Sequence, residues 1–235
     1  MKKYVSTGGV YEEGYKRNVQ PYRKVCNNEE FEKNGYLFLP RLISNPENLR
    51  VPVPEERGQV TFFNNRHDRY QYNPVEGQVE GSLSRYNIPT YRELHFLVKR
   101  EIEKVLKMDL HPTYFYDRFY FTGQQLKRHS DRPACEISVT LQISTNRSQE
   151  DPWPIWFERP DGSESCVLMR DGDAAVYKGC EREHWRDPLE SRYNPVARKI
   201  RSIRGLDDDT YHHQIFLHYV DANGPFCHMA GDRIR

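Results

Sequence analysis

The chain has 235 residues, of which 29% are charged and 37% hydrophobic, with a formal net charge of +1. That length suits one domain with an extension, and so balanced a charge excludes the strongly basic character of a nucleic-acid or anionic-membrane binder. The 16 tyrosines and 11 phenylalanines supply more buriable aromatic area than a disordered chain carries.

The opening, MKKYVSTGGVYEEGYKR, is basic but lacks the apolar stretch of a secretory signal. No apolar run approaches the ~20 residues that span a bilayer. A soluble, cytoplasmic protein is expected. The 5 cysteines form no CxxC pair, which points to reduced thiols and away from a disulfide framework or a Cys-rich zinc site.

Residues 1–30 are polar and weakly patterned and read as an extension; 31–235 read as the domain, with its core over about 110–225. EEFEKNGYLFLPRLI suggests a short helix, a glycine break and a strand over Tyr36–Leu39. From Ser44 to Pro89 the chain is rich in Pro, Asn, Gly and charge and reads mainly as loop around VTFFNN. A helix is predicted over 90–108. Thr90 and Glu93 make a T-x-x-E capping box, and Leu94, Leu97, Val98, Ile102, Val105 and Leu106 form one buried face. His95 within it reads as a partly exposed helix residue.

Short β-branched or aromatic runs follow: YFYDRFYF, EISVTLQIS, WPIWFER, SCVLM, DAAVYKG and QIFLHYV, separated by turn residues. In EISVTLQIS, Ile137, Val139, Leu141 and Ile143 alternate with Glu136, Ser138, Thr140 and Gln142. Such a succession predicts an antiparallel sandwich or open barrel. Residues 187–211 interrupt it with a polar stretch carrying Arg198, Lys199, Arg201 and Arg204 and then Asp207, Asp208 and Asp209. This segment reads either as a mobile lid over the substrate or as a solvated loop paired with itself.

RHSDRPACE places His129 and Asp131 two apart. At a strand end, side chains at i and i+2 leave on one side. Mononuclear iron(II) sites of the two-histidine, one-carboxylate kind need such a pair plus a histidine from a neighbouring strand. His184 stands 53 residues beyond Asp131, behind the Gly-Asp strand GDAAVYKG. The alternative is that His129 and Asp131 form a solvated turn and His184 packs beside Trp185. In NNRHDRY, His67 and Asp68 are adjacent and would point apart.

Three stretches, YFYDRFYFTGQQLKRHSDRPACEIS, VLMRDGDAAVYKGCEREHWRDPL and HHQIFLHYVDANGP, resemble the iron(II)/2-oxoglutarate-dependent oxygenases of the prolyl-hydroxylase-like kind. They match that family's tyrosine strand with its H-x-D, the strand leading to its distal histidine, and its final core strand. The resemblance runs from about Leu110 to the C-terminus. It implies a mainly β fold, a double-stranded β-helix (jelly-roll, cupin-like) core with N-terminal supporting helices. It implies that His129, Asp131 and His184 ligate iron(II), and that 2-oxoglutarate and O2 are cosubstrates, with ascorbate in a supporting role. An amino-acid or peptidyl, proline-like substrate would be hydroxylated with release of succinate and CO2.

The family places an Arg or Lys for the distal carboxylate of 2-oxoglutarate at the start of the last core strand, where this chain has His212. Arg186 is the first replacement, since it lies two residues after His184 and would point the same way. Arg192 is second and His212 third. Tyr120 matches a tyrosine that hydrogen-bonds the cosubstrate, and Gln214 and His218 alternate with His212 along the last strand. Arg132 would support the loop or contact substrate.

The expected partner is a small-molecule or peptide substrate; neither membrane nor nucleic acid is expected. Two other functions stay open on sequence: a non-catalytic binding or assembly module on the same fold, and a jelly-roll metalloenzyme that does not use 2-oxoglutarate.

Overall fold

The computed structural model describes residues 28–63 and 69–232. His67, Asp68 and most of the N-terminal extension lie outside the described residues. Helix α1 (Glu29–Asn34) starts where the Asn28 side chain accepts from the Phe31 N–H at 3.0 Å. It stops at Gly35, whose φ of 76° is a left-handed conformation open to glycine at little cost. The chain then enters β1 (Tyr36–Leu39).

The stretch 44–89, read from sequence mainly as loop, contains three strands: β2 (Gly58–Phe62), β3 (Tyr70–Asn73) and β4 (Leu83–Tyr86). They are short and have little internal pattern, so β4 declares itself only by pairing with β5 (Leu110–Phe121), Leu83 opposite Phe119 and Tyr86 opposite Tyr116.

The remaining strands are β6 (Leu126–His129), β7 (Ile137–Thr145), β8 (Ile155–Glu158), β9 (Glu164–Val167), β10 (Ala174–Lys178), β11 (His184–Arg186) and β12 (Tyr211–Asp221). They form an eight-stranded sheet, β1-β10-β7-β12-β5-β4-β2-β3, and a four-stranded sheet, β6-β11-β8-β9. Pairing is antiparallel except between β2 and β4. The fold is the mainly β jelly roll expected. β12 shifts register between Leu217 and Tyr219, and Tyr219 stands opposite Pro112, which has no N–H to give the ladder.

Helix α2 runs over Arg92–Leu106, and the capping box does not form. Pro89–Tyr91 is a 3-10 turn, Tyr91 becomes the N-cap, and no side chain caps it. The buried face is also rotated from the one expected: Leu94, His95, Val98, Ile102 and Leu106 are buried, Val105 is only partly so, and Leu97 is 56% exposed. His95 is buried because the sheet offers it a partner: its Nε2 lies 3.0 Å from the His218 carbonyl, and the Tyr219 hydroxyl donates to the His95 carbonyl at 2.8 Å.

The two faces of the large sheet differ in chemistry. Its outer face carries Phe115, Ile137, Val139, Leu141, Val176, Ile215 and Leu217, packed into one cluster with the apolar side of α2. This burial drives the fold. The inner face carries Tyr114, Tyr116, Arg118 and Tyr120 of β5, Ser138 and Thr140 of β7, Tyr177 of β10, and His212, Gln214 and His218 of β12, all buried. Rings from the small sheet and its flanks close over it, Phe157 standing 5.1 Å from Tyr177 and Trp153 5.1 Å from Tyr120. The polar half of the alternation is thus as buried as the apolar half.

The 187–211 insertion contains α3 (Pro195–Ile203), which buries no side chain. It pairs with itself as the second sequence reading anticipated: Arg192 and Arg201 meet Asp209, and Arg198 meets Asp208. It leaves β11 at Arg186 and is tied by Leu189 to Gly123 and Gln124, the end of β6 away from His129. That position does not suit a lid over the His129 end. Among the described residues no helix is long and apolar enough to cross a membrane.

Candidate metal centre

β6 and β11 are paired with His129 directly opposite His184, so two imidazoles from distant sequence meet at one end of the small sheet, with ring centroids 4.4 Å apart. Asp131 follows His129 just beyond the strand end, and its N–H donates to the Gly179 carbonyl at 2.8 Å. A Cβ built on Gly179 would lie 2.2 Å from the Cys135 carbonyl and 2.7 Å from Asp131 Oδ2, so only glycine lets these segments approach. Asp131 Oδ1 lies 3.5 Å from His129 Nε2 and 3.8 Å from His184 Nε2. All three donor atoms fall within 4.8 Å of one another.

The tautomers suit metal binding. His129 Nδ1 donates to the Lys127 carbonyl at 2.8 Å and His184 Nδ1 to the Arg182 carbonyl at 3.3 Å, which leaves Nε2 of each neutral ring unprotonated at the site. Burial pushes the His184 pKa down to about 4 against the pull of Asp131, so this ring is neutral near pH 7. At His129 burial also favours the neutral ring, but the hydrogen bond that Asp131 offers the protonated ring, and its charge, outweigh it and raise the pKa. Burial opposes ionisation of Asp131 as well, yet the neighbouring His184 and His129 hold it below the usual carboxylate range. Ser138 Oγ holds Asp131 Oδ2 at 3.1 Å and lies 2.9 Å from His218 Nδ1. With both imidazoles neutral, two histidines and a carboxylate on one side of a site are the donor set that suits iron(II).

Behind the triad lies a polar interior with buried groups that lack hydrogen-bond partners among the described residues: Nε and Nη2 of Arg186, both amide atoms of Gln214, Thr140 Oγ1 and His212 Nε2. Arg186 is 1% exposed. Its Nη1 donates to the Trp153 carbonyl at 2.7 Å, and its guanidinium stands 4.6 Å from the Trp153 ring centroid. Burial lowers its pKa to about 10, so it is still a cation at neutral pH. An unpaired buried guanidinium is costly, and a bound anion relieves that cost.

Tyr120 is fully buried beside this interior, and its hydroxyl accepts from Arg118 Nη1 at 3.4 Å. His212 packs edge-on to Trp153, with centroids 4.9 Å apart, and burial, with Arg186 next in effect, holds it neutral. Arg192 is not in the site. It points outward to Asp209 and Tyr193, because it follows β11 by six residues and belongs to the self-paired insertion. Arg132 stacks over Tyr114 at 4.7 Å and bridges to Asp232 at 2.5 Å.

Three residues at the site carry no sequence signal. Gln78 places its Nε2 2.9 Å from His129 Nε2, and its Oε1 accepts from Arg118 Nη1 at 2.9 Å. Arg118 Nη2 in turn binds Glu76 at 3.0 Å. Arg118 had shown only as one position of an aromatic strand, and Glu76 and Gln78 as part of a loop.

No family model matches the chain, and no curated protein matches it by sequence. Solved structures match its fold. A prolyl hydroxylase from Trichoplax adhaerens, in complex with a hypoxia inducible factor oxygen degradation domain peptide fragment, is 13% identical, with 92% of this chain and 94% of that one covered at a TM-score of 0.51. HygX from Streptomyces hygroscopicus, with nickel, 2-oxoglutarate and hygromycin B bound, is 11% identical, with 88% of each chain covered at 0.54. The non-heme alpha ketoglutarate dependent carbocyclase SnoK from nogalamycin biosynthesis is 11% identical, with 93% of this chain and 94% of that one covered at 0.52. The fold is therefore that of the iron(II)/2-oxoglutarate oxygenases. Within it, the described residues offer a His/Asp/His cluster able to hold a metal ion.

Proposed function

We propose that the protein is an iron(II)- and 2-oxoglutarate-dependent oxygenase that hydroxylates an amino-acid or peptidyl substrate. The observation that carries this reading is the pairing of the His129, Asp131 and His184 cluster with the unpaired, buried Arg186 behind it. A metal centre alone would suit many reactions. A metal centre with a buried cation and a set of unpartnered polar groups beside it suits a small dicarboxylate bound between them.

His129, Asp131 and His184 would hold the metal. Arg186 would take the distal carboxylate of 2-oxoglutarate, with Tyr120, Gln214, Thr140 and His212 offering further hydrogen bonds. The metal supplies the oxidising chemistry, with 2-oxoglutarate as the reductant of O2. The protein fixes the imidazole tautomers through backbone carbonyls, anchors Asp131 through Ser138 and Gly179, and excludes water behind aromatic walls.

The test is anaerobic titration of the iron(II)-loaded protein with 2-oxoglutarate, watching for the visible charge-transfer band of a bidentate keto-acid chelate. The band is expected in the natural protein and absent in His129→Ala and Asp131→Ala. Arg186→Met should bind iron but need far more 2-oxoglutarate. Iron binding with no response to 2-oxoglutarate would favour a metalloenzyme of another kind, and no iron binding at all would favour a non-catalytic module.

A further inference from the structure

Between β3 and β4 the chain crosses the mouth of the barrel, and three of its side chains drop inward. Val75 is 60% exposed, but Glu76 is 2% and Val79 3% exposed, with Gln78 half-buried between them. Glu76 and Gln78 land on Arg118, which is itself fully buried on the inner face of β5. Ser84 holds Arg118 Nε at 2.7 Å, which fixes the plane of the guanidinium and turns its Nη1 and Nη2 toward the strap. The rings of Tyr116, Tyr120 and Phe216 stand around it, with centroids 5.3, 5.5 and 6.0 Å from Cζ.

The two terminal nitrogens are met by two oxygens from two different side chains: Nη1 by Gln78 Oε1 at 2.9 Å and Nη2 by Glu76 Oε1 at 3.0 Å. One carboxylate could fill both positions in the bidentate geometry that guanidinium favours. The other end of Gln78 rests on His129 Nε2, which has one lone pair in that direction. A metal ion held by His129 would compete with the Gln78 amide for it and loosen this end of Gln78, while the grip of Glu76 and Gln78 on Arg118 would be left for a substrate to displace. A buried ion pair is a poor stabiliser compared with apolar packing. A loop that inserts a carboxylate and a carboxamide beside a metal triad is thus better explained by what it displaces.

We propose that residues 74–79 are a substrate-mimicking strap, and that Arg118 receives the carboxylate of the true substrate once Glu76 and Gln78 withdraw. The proposal rests on the oxygenase reading and adds the substrate's chemical class: a molecule with a free carboxylate near the carbon presented to the metal. An amino acid or the C-terminal residue of a peptide has that group. Arg186 remains the site of the cosubstrate.

The test is amide hydrogen exchange of residues 74–80 in the full chain loaded with manganese(II) and 2-oxoglutarate, so that nothing turns over. Three probe pools are added separately: the free L-amino acids, the same amino acids as C-terminal amides, and acetylated dipeptides with free C-termini. Exchange in the strap is expected to rise severalfold with at least one acid pool and to stay unchanged with the amides. The acid pool that acts tells a free amino acid from a peptide end. No change with any pool, or an equal change with acids and amides, overturns the proposal.

A second variant guards against misfolding and against confusion with the cosubstrate site. Arg118→Gln combined with Glu76→Gln removes both buried charges together, which is gentler than leaving one unpaired. It should lose the response to acids and keep the iron(II)/2-oxoglutarate charge-transfer band. Loss of that band in the double variant alone would assign Arg118 to the cosubstrate and overturn the proposal. Absence of the band in the natural protein would instead count against the oxygenase reading, while the exchange experiment still reports on the strap.

Discussion

His129 and His184 face the same carboxylate yet titrate on opposite sides of the ordinary histidine value. Burial takes His184 down to about 4, whereas Asp131 lifts His129 above its usual range. A metal ion needs both rings neutral, so acid reaches the site through His129 first. Affinity for a divalent ion should fall about tenfold per pH unit below the His129 pKa, and more steeply as pH nears the His184 value. Calorimetric titration in buffers of different ionisation enthalpy checks this: about one proton should leave per ion at about pH 5.5, and the number should fall as pH rises through the His129 pKa.

Arg186 carries a different cost. Two of its nitrogens are buried without hydrogen-bond partners, and only Nη1 is satisfied, by Trp153. Arg186→Met should therefore stabilise the cosubstrate-free protein by about 1–2 kcal/mol in urea denaturation, while destroying 2-oxoglutarate binding. Destabilisation of that size would mean that Arg186 is a structural residue.

The element that supports the site is α2, and it does so from the far side of the sheet. Its apolar face joins apolar residues of β5, β7, β10 and β12 in one buried cluster on one surface of the sheet, and the other surface carries the polar groups. Ile102 is fully buried there, so Ile102→Ala should cost about 2–5 kcal/mol of unfolding free energy. Leu97, three residues into the same sequence pattern, is 56% exposed, and Leu97→Ala should change stability by less than about 0.5 kcal/mol. Equal losses at both positions in chemical denaturation would contradict the rotated face. The rotation has a local cause: Pro89–Tyr91 enters as a 3-10 turn, and His95 finds the His218 carbonyl. A repeat of apolar residues identifies a helix, but the neighbouring surface chooses which of them turn inward.

At the scale of the whole molecule, two sheets bring together candidate ligands from β6, β11 and the loop after β6, and bury a cation near them. Ligand binding should therefore be linked to global stability. In the presence of a divalent ion, 2-oxoglutarate at about 100 times its Kd should add about 2.7 kcal/mol to unfolding, and little without the ion. Thermal unfolding with and without metal separates the two cases. Strand alternation in the sequence by itself pointed to an antiparallel sandwich or open barrel, and i to i+2 spacing singled out His129 and Asp131 as a candidate pair with His184. The jelly-roll core, the ligand roles and Arg186 as a substitute cation entered only through the resemblance to the oxygenases. The sequence also contained the inward polar row Ser138 and Thr140, visible as the other half of an alternating strand. It could not place Arg192, whose route depends on an insertion folding against itself. It could not find Glu76, Gln78 and Arg118 either. Gln78 meets Arg118 across 40 residues and His129 across 51. Contacts at that range depend on β4 pairing with β5 and on how the strap between β3 and β4 drops across the barrel. Only the tertiary structure decides both, because no local propensity distinguishes a loop that covers a candidate metal centre from one that covers nothing.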